Sequence, residues 1–484
     1  MADPRRALEN KYRIENRYAS FGPILETIRI RGFRGIVDLT VNFEYPITAI
    51  SGLNGAGKST VGQLCLGGYR KPSTLRGLKR FYVRDFFPVS AADPNPFGPE
   101  SSVVYTYSTN IPFAPQTLTV RRATQEWSGY KRQPERSCFY IGFTIYIPKV
   151  EQSDLSIYRG PVIELGTSRQ IPLEAKEKVG RILGQQYDEL LFQQITHGTR
   201  SGELGIAARF GSRYSENNMG FGEGRTLYLV NLLENSPEQS LFVIEEPETS
   251  LHENAKYELG KYLLDVCNRR HHQIILSTHS STLLQTIPDS GRLLLARDFS
   301  GVEAYPALSA SRVRSILSAG NHKSLTILVE DDFARLFLKE IIRSADKSVL
   351  SCVEIHAVGN TKSVRSGTLL LQKLGRKVLA VRDADIGPDH SNNIFSFPGN
   401  RAPEAEVYSC DAVKEMLLRE FGIDSENTLA QRDVATAHHK FTEALAAAAD
   451  TTQDYLRTIS IMKYIESMGE GPFQELISAI QRML

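Results

Sequence analysis

Apolar and polar positions change period several times along the chain, and each change marks an element. Four short apolar runs, Leu25 to Ile30, Ile47 to Ser51, Leu241 to Ile244 and Gln273 to Leu276, have the length and continuity of buried strands. The second runs into a glycine-rich loop and then a helical pattern opening at Ser59. The last two are joined by a helical pattern from Asn254 to Cys267, which predicts a βαβ unit and a parallel sheet. From Phe87 to Pro148 the chain is rich in proline and aromatics, and its alternating stretches SSVVYTYST and FYIGFTIYI read as strands of a lobe or insert. Helical patterns cover Leu173 to Tyr187 and Arg225 to Glu234, on either side of a polar stretch ending near Met219, and suit an arm or dimer contact. A composition change over Ala310 to Lys323 marks a boundary. Beyond it come a strand at Leu325 to Val329, a helix at Phe333 to Arg343, a strand at Val353 to Val358, a further helix and a strand at Lys377 to Val381. After Cys410 helix formers dominate, with a break at Gly469-Glu470-Gly471-Pro472.

Composition narrows the class. The 484 residues amount to about three times the ~150-residue prior for one domain, so two or three domains are expected. With 41% hydrophobic and 23% charged residues the chain is neither fibrous nor wholly disordered. Lys plus Arg number 57 and Asp plus Glu 55, so nucleic-acid binding requires a local basic patch; Lys71 to Arg84, with Arg76, Lys79 and Arg80 beside Phe81 and Tyr82, is a candidate. Five cysteines without CxxC spacing suit a reducing, cytoplasmic setting. The first residues lack an apolar signal core and nowhere do about 18 apolar residues run together, so neither secretion nor membrane spanning is expected. The pairs His271-His272 and His438-His439 are adjacent, their side chains diverge, and both are expected at the surface.

The first candidate chemistry is Gly52-Leu53-Asn54-Gly55-Ala56-Gly57-Lys58-Ser59, a GxxxxGK[ST] loop between a strand and a helix. Backbone N–H groups there wrap phosphate oxygens, Lys58 adds charge at the β/γ-phosphates, and the Ser59 hydroxyl suits Mg²⁺. The strand at Leu241 to Ile244 ends in Glu245-Glu246, placing Glu245 as a metal partner and Glu246 as the group polarising an attacking water. These residues, with the wording EEPETSLHE and the later Ser277-Thr278-His279-Ser280, resemble the ABC-type ATPases of the SMC and OLD (overcoming lysogenization defect) group. The resemblance implies that His279 senses the γ-phosphate and that Arg34, Asn54, Gly55, Gly57, Lys58, Ser59 and Thr60 bind ATP. It also implies that Gly222 and Glu223 reach ATP from an opposite subunit, although Gly220 stands where the signature serine belongs.

The second is a set of carboxylates. Leu325 to Val329 leads into Glu330-Asp331-Asp332, and Val378 to Val381 into Asp383-Ala384-Asp385. Acids at the carboxyl ends of two parallel strands repel unless a divalent cation neutralises them, and the all-oxygen set suits Mg²⁺ or Mn²⁺ rather than zinc. The pattern resembles a Toprim domain, with Glu330, Asp383 and Asp385 as metal and catalytic residues, Glu404 as a further metal-binding glutamate and Glu406 as a weaker one. Asp331 where the family has glycine, and Ala334 where it has an acid, are departures, for which Asp332 or Glu404 would have to compensate. What the resemblance implies is an α/β chain: an ABC/SMC-like P-loop ATPase domain over 1–318 with a helical/β insert or dimerisation arm near 150–218, a Rossmann-like Toprim domain over 319–420, and a helical extension over 421–484. The implied function is an ATP-binding and ATP-hydrolysing, metal-dependent DNA endonuclease, gated by nucleotide, of anti-phage defence. Its expected partners are DNA, a homodimer or higher homo-oligomer, and a further defence protein or nucleic-acid regulator. The alternative is an ATPase sensor or scaffold with a degenerate Toprim domain that controls a partner effector.

Overall fold

A computed structural model describes the chain except for residues 1–2, 76, 95, 124–125, 148–162, 198–199, 298–300, 319–322, 433 and 435–436. Two compact units result, Met1–Ala310 and Ser311–Leu484. The expected boundary at 318/319 touches residues outside the description, as do Arg76 and the first part of the expected insert.

The centre of the first unit is a six-stranded sheet in the order Val302–Pro306, Arg292–Arg297, Ile47–Ser51, Gln273–Ser277, Leu241–Glu245, Cys138–Ile141. Every neighbouring pair is parallel except the antiparallel first one. Ile47–Ser51 and Gln273–Ser277 are buried throughout, as continuous apolar runs predict for strands covered on both faces. Gln273–Ser277 lies between the strand feeding the phosphate loop and the strand ending in Glu245. Register pairs Ser277 with both Ile50 and Glu245. Because the strands run parallel, their carboxyl ends share one edge, where the phosphate loop, the acid pair and His279 are delivered.

The lobe differs from its expectation. Cys138–Ile141 pairs with Leu241–Glu245 as the outer strand of the central sheet. Ile36–Asn42, with its alternating exposure, forms a hairpin with Leu25–Phe33, and Phe97–Tyr107, Gln116–Ala123 and Glu126–Ser128 extend this into a five-stranded antiparallel sheet. The polar stretch before Met219 holds the strands Glu189–His197, Arg200–Arg209 and Ser212–Ser215, which form a further antiparallel sheet with Glu164–Gln170 from ahead of the Leu173 helix. Its sequence hides it because Glu164–Gln170 is exposed on both faces and lacks the alternation that marks a half-buried strand.

The second unit is built on a parallel four-stranded sheet in the order Val353–Ala357, Leu325–Val329, Val378–Arg382, Ile394–Ser396. The helices beyond residue 420 are part of its core. Leu456, Ile461, Phe473 and Ile480 pack in one cluster with Ile327, Phe337 and Leu379. Burying each such side chain contributes about 1.5–3 kcal/mol, which ties these helices to the sheet. Among the described residues no helix is long and apolar enough to cross a membrane.

Candidate functional site

The phosphate loop is held open by glycines. Gly57 caps the helix Lys58–Leu66 in a left-handed conformation with φ 95°, and a Cβ on Gly52 would sit 2.4 Å from the Leu295 carbonyl oxygen. Lys58 Nζ folds back to donate to the carbonyls of Gly52 (2.8 Å) and Leu53 (3.1 Å). Burial lowers its pKa from the ordinary lysine value, and Glu246 and Glu245 across the cleft oppose that fall. The cleft encloses about 400 Å³. Arg34, Asn54, Gly55, Gly57, Lys58, Ser59 and Thr60 line it, and so do Glu245, Glu246 and His279.

The acid pair is set by its strand end. Glu245 Oε1 is buried without a hydrogen-bond partner, and burial raises the pKa of Tyr140, whose hydroxyl interacts with Gln63 and Glu245. A buried carboxylate oxygen left unpaired in the cleft that Ser59 also lines fits a divalent cation, which satisfies such an oxygen directly or through water. Glu246 adopts φ 43° and places Oε1 3.6 Å from His279 Nε2. Burial and the Lys58 charge lower the His279 pKa, with Glu246 acting in the opposite sense, so the imidazole is neutral at pH 7 and able to donate one hydrogen bond.

Gly222 and Glu223 do not line this cleft. They occupy the first turn of the helix Phe221–Asn235, where Glu223 Oε1 accepts from the hydroxyls of Tyr187 (2.7 Å) and Tyr214 (2.6 Å).

Three residues outside the sequence expectation support the site. Arg297 Nη1 donates to the Gly55 carbonyl at 3.2 Å. Arg225, only 2% exposed, donates from Nη2 to the carbonyls of Glu245 (2.6 Å) and Glu246 (3.2 Å), while its Nη1 is unpartnered. Glu248 is buried, accepts from the Thr278 hydroxyl and from the His279 N–H (3.3 Å), and leaves Oε2 unpartnered. Burial raises the Glu248 pKa, opposed by the bonds from Thr278 and His279. The available signal for Arg225 was a charge in an otherwise apolar helical window. For Glu248 it was the acid two residues past the strand-end pair.

Two family profiles match inside this unit: AAA domain over residues 27–72 and AAA ATPase domain over residues 169–284. The first unit carries AAA-type ATPase sequence over these two stretches. Similar solved structures include the SMC head domain from Thermotoga maritima, 16% identical, covering 58% of this chain and 98% of that one with a TM-score of 0.36. A second is an SmcHead bound to the C-winged helix domain of ScpA, 14% identical over 59% and 98% with a TM-score of 0.40. A third is the Smc head domain with an extended coiled coil bound to the C-terminal domain of ScpA derived from Pyrococcus furiosus, 12% identical over 61% and 99% with a TM-score of 0.38. No curated protein matches the chain.

In the second unit, Glu330 accepts from the Thr361 hydroxyl (3.1 and 3.0 Å) and from the Asp383 N–H (3.3 Å). The Asp383 carboxyl is pushed up to about 7 by burial and then by the charges of Glu330, Asp331 and Asp385. Asp331, which stands where the resemblance expects glycine, is therefore a member of the cluster; it also caps the helix Asp332–Ala345 by accepting from the Ala334 N–H at 2.7 Å. Asp332 instead pairs with Arg335 at 3.0 Å.

Glu404 is 4% exposed and accepts from the Thr442 N–H (2.9 Å) and hydroxyl (2.6 Å); burial raises its pKa, with a further rise from Asp331. Glu406 accepts from the N–H groups of Asn400 and Arg401 and serves that turn. Among the described residues no three His, Cys, Asp or Glu side chains form a metal cage. The uncompensated, all-oxygen cluster around Asp383 fits a cation held by two carboxylates and water.

One expectation is overturned outright. His272 is fully buried: its Nδ1 accepts from the Ser240 N–H at 3.3 Å and its Nε2 donates to the Leu233 carbonyl at 3.1 Å. The residue follows the last turn of Glu253–Arg270 and turns inward against Phe242, a placement that adjacency to His271 does not encode. His438 and His439 are exposed.

Proposed function

We propose that the chain is an ATP-hydrolysing, metal-dependent DNA endonuclease of the OLD type, with ATP turned over in the first unit and a phosphodiester cut by a Toprim-type second unit. The observation that carries the nuclease half is Asp383, held up near 7 by burial and by three neighbouring carboxylates at the carboxyl edge of a parallel sheet. Such electrostatic strain is costly to a fold and useful to a metal site.

In the first unit the loop N–H groups and Lys58 hold the β/γ-phosphates, while Arg34 and Arg297 bring further positive charge to the same cleft. Ser59 and Glu245 would hold Mg²⁺, which supplies neutralisation of phosphate charge. Glu246 accepts a proton from the water it orients, and neutral His279 donates toward the γ-phosphate. Gly222 and Glu223 act on the nucleotide of a second copy. In the second unit Asp383 and Glu330 would hold Mg²⁺ or Mn²⁺, with Asp385 adding negative charge beside them; the ion would stabilise charge on a phosphodiester and lower the pKa of bound water. Glu404 fixes the helices around the cluster through Thr442.

The second reading, an ATPase sensor that controls a partner defence protein or nucleic-acid complex, is favoured by Gly220 at the signature position and by the lack of a closed metal cage among the described residues. Supercoiled plasmid incubated with Mg²⁺ or Mn²⁺, with and without ATP, separates the two. Nicking by the wild-type chain that disappears in Asp383→Ala supports the nuclease. Intact plasmid in every lane alongside ATP turnover lost in Lys58→Ala sinks the nuclease reading and leaves the sensor.

A further inference from the structure

Outside both candidate sites, the first unit carries a dense block of positive charge. The described residues of 70–85 and of 130–135 are brought together by direct contacts. Arg70 N–H donates to the Pro134 carbonyl (3.1 Å), Arg80 Nη2 donates to Gln133 (3.1 Å), Val83 N–H donates to the Tyr130 hydroxyl (3.3 Å), and the Tyr82 and Tyr130 rings meet edge to face at 5.3 Å. The described residues of these two segments hold seven cations against two acids. Both acids are committed: Glu135 pairs with Arg70 at 3.3 Å, and Asp85 caps the turn at Tyr82 by accepting its N–H at 3.0 Å. Lys71, Lys79, Arg84, Lys131 and Arg132 are exposed and form no ion pair among the described residues.

Exposed like charges at this density create a local positive potential that attracts anions. The rings in the block decide the kind of anion. Tyr82 is flanked by the Arg80 guanidinium at 4.8 Å and that of Arg84 at 5.4 Å, and Lys79 lies 5.3 Å from the buried Phe81 ring. The aromatic faces are already covered by cations, so they brace charged groups and are closed to stacking bases. Braced, unpaired cations without a stacking platform suit phosphates spaced along a duplex.

We propose that this surface binds the phosphate backbone of duplex DNA without reading sequence. The choice of DNA rests on the nuclease reading; the polyphosphate chemistry does not.

The test uses the full chain carrying Asp383→Ala, so that the probe stays intact, and a fluorescent 30-base-pair duplex of arbitrary sequence titrated across a salt series. Each phosphate contact contributes about 0.9 to the slope of log affinity against log salt. The triple variant Lys79→Glu/Arg84→Glu/Lys131→Glu is expected to bind at least tenfold more weakly and to lose about 2.7 of that slope. The milder Lys79→Gln/Lys131→Gln is expected to lose about 1.8, and retained binding of a fluorescent ATP analogue verifies folding in both. Unchanged affinity and slope in the two variants overturn the proposal. So does binding to anionic phosphatidylserine vesicles in preference to the duplex. The two readings fail separately: patch-dependent duplex binding with no cleavage by the wild type sinks the nuclease and keeps the surface, whereas Asp383-dependent cleavage with patch-independent binding does the reverse.

Discussion

Replacing Asp383 by asparagine should stabilise the folded chain while abolishing cleavage. The wild-type carboxyl is raised from its ordinary 3.8 to about 7 by burial and by Glu330, Asp331 and Asp385. At 1.36 kcal/mol per pH unit this corresponds to about 4 kcal/mol, which solvent screening of the half-buried group reduces to about 2 kcal/mol. The unfolded chain releases this proton near pH 4 and the folded chain near pH 7. Between those values the folded state binds more protons, so stability falls as pH rises, and the full penalty is present above pH 7. Asparagine keeps the shape and the N–H bond to Glu330 and removes the charge. Scanning calorimetry in EDTA at pH 8 is expected to show the second-unit transition of Asp383→Asn about 4–8 °C above wild type, and the difference should close by pH 4. Mg²⁺ should narrow the gap at pH 8 by stabilising the wild type alone. A variant no more stable than wild type at pH 8, or a gap that persists at pH 4, would show that Asp383 is not under electrostatic strain, and the argument for a metal site would go with it.

Three further outcomes follow from the first unit. Glu246→Gln should retain ATP binding and lower turnover by roughly a hundredfold or more, because it removes the base and leaves the cleft intact; steady-state hydrolysis with a parallel binding titration checks this, and unchanged turnover assigns the water to another group. Arg225→Met should lower kcat at least tenfold with little change in ATP affinity, since the lost bonds to the Glu245 and Glu246 carbonyls are worth about 1.5–3 kcal/mol and aim the acid pair without touching nucleotide. Partial recovery in Arg225→Lys separates positioning from collapse, and equal losses in both variants argue against it. Burial holds the His272 pKa down to about 3, so its stabilising contribution is complete above pH 6.5 and is lost as pH falls from there toward 3. The cost at pH 5 is about 2 kcal/mol, and in denaturant melts the wild type should lose about that much more stability than His272→Gln between pH 7.5 and 5.

Local chemistry was legible where it depends on consecutive residues. The phosphate loop needs glycines, Lys58 and Ser59 in one short stretch between a strand and a helix, and the acid pair needs only a buried strand end, so both could be read directly. So could the strands Leu325–Val329 and Val378–Arg382 with acids at their ends. A strand exposed on both faces, such as Glu164–Gln170, carries too little periodicity to be read.

What the chain by itself determined was the inventory of reactive groups and the direction in which each strand delivers them. Tertiary structure alone decided that Gln273–Ser277 lies between the phosphate-loop strand and the acid strand and carries His279 to the same edge. It decided too that Arg225 reaches the carbonyls behind the acids from another helix, that Asp331 belongs to the carboxylate cluster while Asp332 pairs with Arg335, and that His272 is buried. Each of these depends on which backbone lies alongside which and on how far water is excluded. Those quantities are set by packing among residues distant in sequence, and hydrophobic period along the chain does not encode them.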